Sequence, residues 1–308
     1  MGIRYNEENN TFILSTENTS YVLHVLKDKY LINLHYGKKI DEYSIDMDNF
    51  PVRGQVFAAN DVPKSGLSTD MLSMEYPCYG SADLRTPAFH GEYENGSSIT
   101  KFEYSKYEIF AGKKGLCGLP ATYVESDSEA ETLEITLCDR LTNLKAILSY
   151  TVFSDFDAIA KSVRIVNDGT ETIKIKSALS STTHFFDKDF DFVHLEGGWA
   201  RERNIQKVPV MNGIMQVDSK RVSSSHHHSP FMALARKNTT ETEGEVYGFS
   251  LVYSGNHLEQ VEVNGYDVLR VNVGINPFGF HWELQPGTKF QTPEVILTYS
   301  DKGYGKMS

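Results

Sequence analysis

The chain contains few residues that could stabilise a fold covalently or through a metal ion. Its 308 residues include only three cysteines, Cys78, Cys117 and Cys138. An odd number of widely spaced cysteines predicts neither a disulfide framework nor a Cys-x-x-Cys metal site, and it favours a reducing, cytoplasmic compartment. We therefore expect a fold that needs no disulfide, no metal ion and no cofactor.

Long apolar runs and clusters of positive charge are missing as well. No stretch approaches the roughly 20 apolar residues of a membrane helix, and residues 1–20 show no apolar run preceded by basic residues. The sequence thus predicts neither a membrane span nor a secretory signal. The formal net charge is −11. A phosphate backbone has to be met by clustered lysine and arginine, so this balance argues against a nucleic-acid partner.

Short runs with a period of two dominate the sequence. Residues 172–176 and 259–263 alternate isoleucine or valine with lysine, glutamate or glutamine, which predicts strands with one buried face. Residues 145–153 (KAILSYTVF) are richer in apolar and β-branched side chains and predict a strand buried on both faces.

Turn signals separate these runs, and helical periodicity is scarce. Asn264-Gly265 lies between residues 261–263 and 266–271 and predicts a hairpin with a tight turn. The only helical pattern covers residues 67–74, a turn or two at most. We therefore predict an all-β fold, a large antiparallel sandwich of two extensive packed sheets with little helix.

Two stretches do not have the pattern of a strand. Residues 46–64 hold two prolines and little periodicity, and residues 187–203 mix acidic, aromatic, glycine and arginine side chains. Both are predicted to be irregular loops, which on a β scaffold often carry ligand or partner contacts.

Most combinations of reactive side chains have a simple structural explanation. Asp187, Asp189 and Asp191 alternate as in a calcium loop, but the central glycine and the final glutamate are missing, so a solvated face is favoured. The three histidines 226–228 cannot easily converge on one ion from an extended strand. Serines 223–225 beside them lack the Gly-x-Ser-x-Gly turn of a serine hydrolase.

Paired carboxylates are a further possibility, because glycoside hydrolysis needs two of them about 5 to 9.5 Å apart. Glu75 with Asp83, or Asp155 with Asp157, would qualify by residue type alone. Acidic residues are too common in this chain for such a pairing to predict an active site.

The segment Gly197-Gly198-Trp199-Ala200-Arg201 stands out because the chain has only two tryptophans. A tryptophan flanked by glycine and charge suits a sugar-stacking or interface anchor. A core tryptophan beneath an Arg–Glu ion pair explains the same residues equally well, so both interpretations remain open.

Many separate motifs, in order along nearly the whole chain, resemble the N-terminal region of the family 36 glycoside hydrolases, the microbial α-galactosidases. They are Ser20-Tyr21-Val22, Glu75-Tyr76-Pro77 with Gly80, Asp83 and Arg85, GLPATYV at 118–124, ETLEI at 131–135, GWARER at 198–203, Ser224-Ser225-His226 with Pro230-Phe231, GEVYG at 244–248, YSGN at 253–256, GINP at 274–277 and QTPE at 291–294.

The resemblance implies a domain arrangement. In this family an N-terminal β-supersandwich, here residues 1–308, precedes a (β/α)8 catalytic barrel and a small C-terminal β domain. The nucleophile lies in a Lys-Trp-Asp motif and the acid/base in a Ser-Asp-Asp motif, both on the barrel. Neither tripeptide occurs in this sequence. The resemblance therefore implies a non-catalytic part of a retaining α-galactosidase, with no catalytic residue of its own. The alternative is a free-standing carbohydrate-binding or scaffold β protein.

The resemblance also implies partners and contact residues. Family members form tetramers in which the N-terminal domain contributes to the rim of the sugar pocket across a subunit interface, through a segment that resembles the surroundings of Phe50. Where some relatives carry an aspartate after that phenylalanine, this chain has Val52-Arg53-Gly54. The expected partners are the barrel of the same polypeptide, further copies of the chain and α-galactoside sugars. The candidate substrate-binding or interface residues are Phe50, Asp83, Arg85, Trp199 and Arg201.

Overall fold

The computed structural model describes residues 2–41 and 69–308. The predicted loop at residues 46–64 and the candidate residue Phe50 lie outside the described residues. The helical pattern predicted for residues 67–74 is represented, in its described part, by a single 3-10 turn at Thr69–Met71. Among the described residues, no helix has the length and apolar character needed to cross a membrane.

The described residues form twenty strands and very little helix, which confirms the predicted all-β class. The strands are β1 Gly2–Asn6, β2 Thr11–Ser15, β3 Thr19–Leu26, β4 Tyr30–Lys38, β5 Phe89–Glu92, β6 Glu103–Ala111, β7 Ala130–Cys138, β8 Leu144–Phe153, β9 Ala158–Asn167, β10 Ile173–Phe185, β11 Asp191–Gly198, β12 Arg201–Pro209, β13 Gly213–Asp218, β14 His228–Ala235, β15 Val246–Leu251, β16 His257–Val263, β17 Leu269–Ile275, β18 Trp282–Leu284, β19 Lys289–Gln291 and β20 Val295–Ser300. The helical elements are 3-10 turns at Thr69–Met71 and Asp127–Glu129 and a short helix, α1, at Tyr304–Met307.

The strands pair antiparallel in three sheets rather than the two predicted. A four-stranded sheet has the order β1-β2-β3-β4, and a six-stranded sheet has the order β13-β16-β17-β10-β18 with β5 also paired to β10. A ten-stranded sheet has the order β12-β11-β14-β15-β20-β9-β8-β7-β6, with β19 paired to β9. The largest cluster of buried apolar side chains draws on all three sheets, which places one core between them.

The structure confirms the predicted burial of strand faces in some strands and corrects it in others. Ile173 and Ile175 are buried while Lys174 and Lys176, which alternate with them, are not, as expected for one buried face. In β16, however, both faces are buried, and Glu259 and Gln260 lie inside the protein. β8 alternates in its first half and is buried on both faces only in its second half. A strand in the middle of packed sheets loses its solvent face, which a two-residue period cannot reveal.

The predicted β16–β17 hairpin is confirmed, but its loop is wider than predicted. Val263 pairs with Leu269, so residues 264–268 form the connection and 266–268 are not part of a strand. The Asn264 side chain closes the loop by accepting hydrogen bonds from the backbone N–H groups of Tyr266 and Val268. Asp267, rather than Gly265, adopts the positive φ, at 61°. The connection is therefore a five-residue loop held by the Asn264 side chain, and not the expected two-residue turn.

A second correction concerns residues 187–203, which were expected to form an irregular loop. Most of this stretch is the β11–β12 hairpin, and Phe192 and Val193 are buried in β11. The acidic and glycine residues obscured the strand pattern, although β11 is in regular register with both neighbours up to His194 and is irregular only over its last residues.

Lys161 and Glu75 form a buried ion pair at the place where the three sheets meet. The Lys161 Nζ donates to Glu75 Oε1 at 2.6 Å and to the Thr182 carbonyl oxygen on β10 at 2.8 Å. Glu75 also accepts hydrogen bonds from the hydroxyls of Tyr21 on β3 and Tyr150 on β8, both at about 2.9 Å. Since β9 belongs to the ten-stranded sheet, one cluster links all three sheets. Such a pair is tolerated in the interior because its polar atoms are satisfied.

A second buried pair, His257 and Glu259, lies on β16. The His257 Nδ1 and Glu259 Oε2 are 2.8 Å apart, and both side chains are fully buried. Burial raises the pKa of Glu259 to about 7, while the hydrogen bond with His257 opposes this shift and Asp218 on β13 adds to it. The carboxyl group is therefore easier to protonate in the folded chain than in the unfolded one.

We predict that replacing Lys161 strongly destabilises the protein. Lys161→Met leaves the Glu75 carboxylate buried without its counter-charge, which should lower the free energy of unfolding by about 3–5 kcal/mol in urea titrations. The double variant Lys161→Met/Glu75→Gln should recover much of this loss. Lys106→Met, which removes the exposed pair with Glu108, is the control and should cost less than about 1 kcal/mol. If Lys161→Met and Lys106→Met lowered the free energy of unfolding equally, the role of the buried pair would be contradicted.

We also predict that Glu259 makes stability fall with rising pH. Its folded pKa lies above its unfolded value of about 4.3, so the contribution is complete below that value and is lost as pH rises to about 7. The expected loss between pH 5 and pH 8 is on the order of 2–3 kcal/mol. In Glu259→Gln, urea unfolding at the two pH values should show a correspondingly smaller difference. An unchanged difference would show that Glu259 does not titrate in this range.

Candidate functional site

Trp199 and Arg201 lie at the tip of the β11–β12 hairpin and point away from the core. The Trp199 side chain is 87% exposed, and Arg201 is exposed beside it. Ala200 has a positive φ of 62°, and a Cβ at Gly197 would meet the Arg201 carbonyl oxygen at 2.5 Å. The tight turn thus explains the small residues that surround the tryptophan. The alternative of a core tryptophan beneath an ion pair is excluded.

Strand β12 places further charge next to this tip. It is the edge strand of the ten-stranded sheet, and Arg201, Arg203 and Lys207 along it are exposed. Glu202 is the only acidic residue of the strand, and its carboxylate accepts a hydrogen bond from the backbone N–H of Ala200. Strand β12 therefore carries a small excess of positive charge beside the exposed tryptophan, on a chain whose formal net charge is −11.

Asp83 and Arg85, in contrast, are buried inside the protein. Their side chains pair directly, with Arg85 Nε 2.9 Å from Asp83 Oδ1. Asp83 also accepts a hydrogen bond from Arg270 of β17, whose guanidinium is fully buried. The second amino group of Arg85 donates to the Leu72 carbonyl oxygen, and Arg270 donates to the Thr86 carbonyl oxygen. The cluster thereby ties the segment 69–86 to the six-stranded sheet.

The same cluster determines the charge state of His184 on β10. Burial, reinforced by the nearby Arg270 and Arg85, holds the pKa of His184 well below its usual range. The neutral ring can then accept a hydrogen bond at Nε2 from Arg270 Nε, at 3.0 Å. Glu262, opposite Arg270 in the β16–β17 ladder, adds the second negative charge that balances two arginines.

The structure does not gather the predicted site residues into one site. Trp199 and Arg201 are on a hairpin of the ten-stranded sheet, whereas Asp83 and Arg85 are packed on the six-stranded one. Phe50 lies outside the described residues. Sequence analysis did not identify Arg270 as the partner of Asp83. A charged residue inside an apolar strand, such as Arg270 in LRVNVGI or Lys161 in AIAKSVRIVN, was the available signal for a buried partner.

Three of the aspartates singled out in the sequence are engaged by partners within the chain. Asp187 pairs with Arg236, at 2.6 Å, and Asp189 with Lys237, at 2.7 Å. Asp157 accepts hydrogen bonds from Thr16 and Asn18. Within residues 2–41 and 69–308, no three histidine, cysteine, aspartate or glutamate side chains are grouped so that they could hold a metal ion.

An aromatic pocket lies beside strands β8, β9 and β20 of the ten-stranded sheet, several strands away from the hairpin, and sequence analysis did not find it. It is lined by the apolar side chains Tyr123, Val124, Phe153, Phe156, Ala158 and Ile296. Tyr123 is 78% exposed and Phe156 is 69% exposed at its mouth. Glu129 and Asp155 also line it, together with Ala121 and Thr122, and make its edge acidic.

Comparison with known proteins identifies the family of this fold. Residues 29–285 match the family described as "Glycosyl hydrolase family 36 N-terminal domain". The chain is 44% identical to α-galactosidase AgaA of Geobacillus stearothermophilus over 100% of its own length and 42% of that protein. It is 38% identical to α-galactosidase Mel36A of Lactobacillus acidophilus, over 99% of this chain and 42% of that one.

The structural comparison agrees with the sequence comparison. The crystal structure of the family 36 α-galactosidase AgaB from Geobacillus stearothermophilus superposes with a TM-score of 0.95 at 44% identity, covering 100% of this chain and 42% of that one. The chain thus spans about two-fifths of the length of the relatives that it matches. The order of strands, the separate motifs and both comparisons lead to one conclusion: the chain belongs to glycoside hydrolase family 36, as a form of that family's N-terminal domain.

Proposed function

We propose that this chain is the non-catalytic N-terminal domain of an α-galactosidase that hydrolyses terminal α-galactosides. The observation that carries the proposal is the match of the whole chain, at 44% identity, to 42% of an α-galactosidase. In this proposal residues 1–308 form one domain, and a (β/α)8 barrel of the same polypeptide supplies the catalytic residues. The domain contributes an oligomer interface, in a tetramer, and part of the rim of the sugar pocket.

The state of the carboxylates supports a non-catalytic role. A retaining glycosidase needs two carboxyl groups that reach the sugar from opposite sides. Glu75 and Asp83 are both buried and neutralised by Lys161 or by arginines. Asp157 is engaged by Asn18. The family's Lys-Trp-Asp and Ser-Asp-Asp motifs are missing from the 308 residues.

We further propose separate roles for the candidate site residues. Phe50 contributes to the pocket rim, and Trp199 with Arg201 contributes to the oligomer interface. Asp83 and Arg85 act as positioning residues, because their cluster anchors the segment 69–86, which directly follows the stretch containing Phe50. The three cysteines are free thiols, which supports a reducing, cytoplasmic location.

We predict that the 308-residue chain alone does not hydrolyse an aryl α-galactoside above background. The reason is that neither catalytic motif is present. The measurement is release of the aryl alcohol, with a family 36 α-galactosidase as the positive control. Turnover that persists through purification and disappears in Asp155→Asn would contradict the assignment. Asp155 is chosen because it is the exposed carboxylate beside the aromatic pocket.

We also predict that Asp83 affects sugar binding indirectly. The test protein is AgaA in which this chain replaces the matching 42%. Asp83→Asn leaves two buried guanidinium groups without their shared carboxylate, which should cost about 3 kcal/mol of stability. Because the segment after Phe50 is then less firmly held, KM for an aryl α-galactoside should rise several-fold more than kcat falls.

The control for this prediction is Asp189→Asn, which removes an exposed ion pair with Lys237 and should leave KM and stability nearly unchanged. A wild-type KM in an equally folded Asp83→Asn protein would refute the positioning role. A fused protein that folds but shows no activity even without substitutions would refute the proposed function itself.

A further inference from the structure

The chain contains three Asn-Gly pairs, at residues 95–96, 212–213 and 264–265, and their surroundings differ. Asparagine before glycine is open to spontaneous deamidation, because glycine has no side chain to keep its backbone nitrogen away from the asparagine amide carbon. The reaction needs a free glycine N–H, a side-chain carbonyl that can take up negative charge, and an amide nitrogen that can leave as ammonia. These three requirements distinguish the three pairs.

At the first pair, the glycine nitrogen is already engaged. The N–H of Gly96 donates a hydrogen bond to the Tyr93 carbonyl oxygen at 2.9 Å. The Tyr93 N–H donates in turn to the Ser97 carbonyl oxygen at 2.8 Å, which holds the turn closed. Removing the Gly96 proton would break the first of these hydrogen bonds, so the folded structure protects Asn95.

At the second pair, the side-chain amide is held at both of its ends. Asn212 Oδ1 accepts a hydrogen bond from Lys188 Nζ at 2.6 Å. Its Nδ2 donates to the Asn264 carbonyl oxygen at 3.2 Å and to Asp267 Oδ1 at 3.4 Å. An amide fixed in this way is restrained from turning its carbon toward Gly213, and its nitrogen is engaged as a donor when it would have to leave.

The third pair meets all three requirements. Within the described residues, the Gly265 N–H donates no hydrogen bond and Asn264 Nδ2 has no acceptor. A Cβ at Gly265 would meet nothing within 4 Å, so this residue lies in open space. Asn264 Oδ1 accepts hydrogen bonds from the backbone N–H groups of Tyr266, at 2.9 Å, and Val268, at 3.1 Å. Two N–H groups at such distances are suited to stabilise a developing oxyanion.

We propose that Asn264 is a deamidation site favoured by the fold of the β16–β17 loop, and that it is modified before Asn95 and Asn212. The Gly265 nitrogen, after losing its proton to water, forms a bond to Asn264 Cγ while the carbonyl electron pair moves onto Oδ1, where the two N–H groups hold it. The intermediate expels Nδ2, which takes a proton from water and leaves as ammonia, and a five-membered succinimide remains.

Water then opens the succinimide at either carbonyl and leaves aspartate or isoaspartate at position 264. Overall one water is consumed and one ammonia is released, with no oxidant or reductant. Isoaspartate lengthens the backbone by one carbon within the loop that sets the pairing of Val263 with Leu269. We therefore expect isoaspartate to loosen the hairpin. The inference is independent of the proposed α-galactosidase role, and its failure would leave that role standing.

The test follows all three sites in the 308-residue chain by peptide mapping with mass spectrometry. The chain is incubated at mildly alkaline pH, once folded and once unfolded in guanidinium chloride. The three rates should be similar in the unfolded chain, because each asparagine is then simply followed by a glycine. Folding should slow Asn95 and Asn212 several-fold, whereas Asn264 should react at least as fast as in the unfolded chain.

Gly265→Ala is the matched control variant. The φ of Gly265 is not positive and an added methyl group has room, so the loop should keep its fold. The methyl group hinders the approach of the residue-265 nitrogen to Asn264 Cγ, so deamidation there should slow several-fold while Asn95 and Asn212 are unaffected. Asn264→Asp keeps an acceptor for both N–H groups and should retain the urea midpoint of the unmodified chain. The isoaspartate fraction should unfold at a lower urea concentration.

Three outcomes would overturn the inference. Asn95 or Asn212 could be modified first in the folded chain. Folding could slow Asn264 as much as it slows the other two sites, which would show that the loop protects the amide. Finally, Gly265→Ala could react as fast as the wild type, which would show that the backbone nitrogen of residue 265 is not the attacking group.

Discussion

The buried contact between Lys161 and Glu75 is the interaction on which the arrangement of the three sheets depends. An ammonium group and a carboxylate lose several kcal/mol of hydration each when they enter a protein interior. Here the loss is offset by partners from every sheet: Tyr21 from the four-stranded sheet, the Thr182 carbonyl from the six-stranded one and Tyr150 from the ten-stranded one. Only one relative placement of the sheets satisfies all of these atoms together.

In the arginine cluster, too, a buried charge is satisfied by several partners, and here the cluster holds a connecting segment in place. Asp83 pairs with both Arg85 and Arg270, so a stretch with little regular structure is fastened to strand β17 by charge-assisted hydrogen bonds. The neutral state of His184 is part of this arrangement, since a protonated ring could not accept the hydrogen bond from Arg270. Polar residues that in isolation resemble a binding site thus act here as internal supports.

On the outer surface, unlike in the interior, large side chains are left without partners within the described part of the chain. Charged groups in the interior are paired, whereas the most exposed aromatic residues, Trp199 and Tyr123, are left without cover at separate ends of the ten-stranded sheet. An edge strand such as β12 invites pairing with other chains. Its arginines and the positive φ of Arg203, at 58°, interrupt the regular edge. These features make simple extension of the sheet along this edge less favourable.

The sequence alone determined the all-β class, the β16–β17 hairpin and the family, because a two-residue period, turn residues and ordered motifs are local properties of the chain. It also singled out Trp199, whose glycine-rich surroundings suit an exposed turn. The number of sheets, the strands within residues 187–203 and the burial of Glu259 followed only from the tertiary structure. Asp83 and Lys161 show the reason: their partners lie far away in the chain, at Arg270 for Asp83 and at Glu75 for Lys161. Whether a charged side chain faces water or a buried counter-charge is decided by which strands are neighbours, and no local pattern records that.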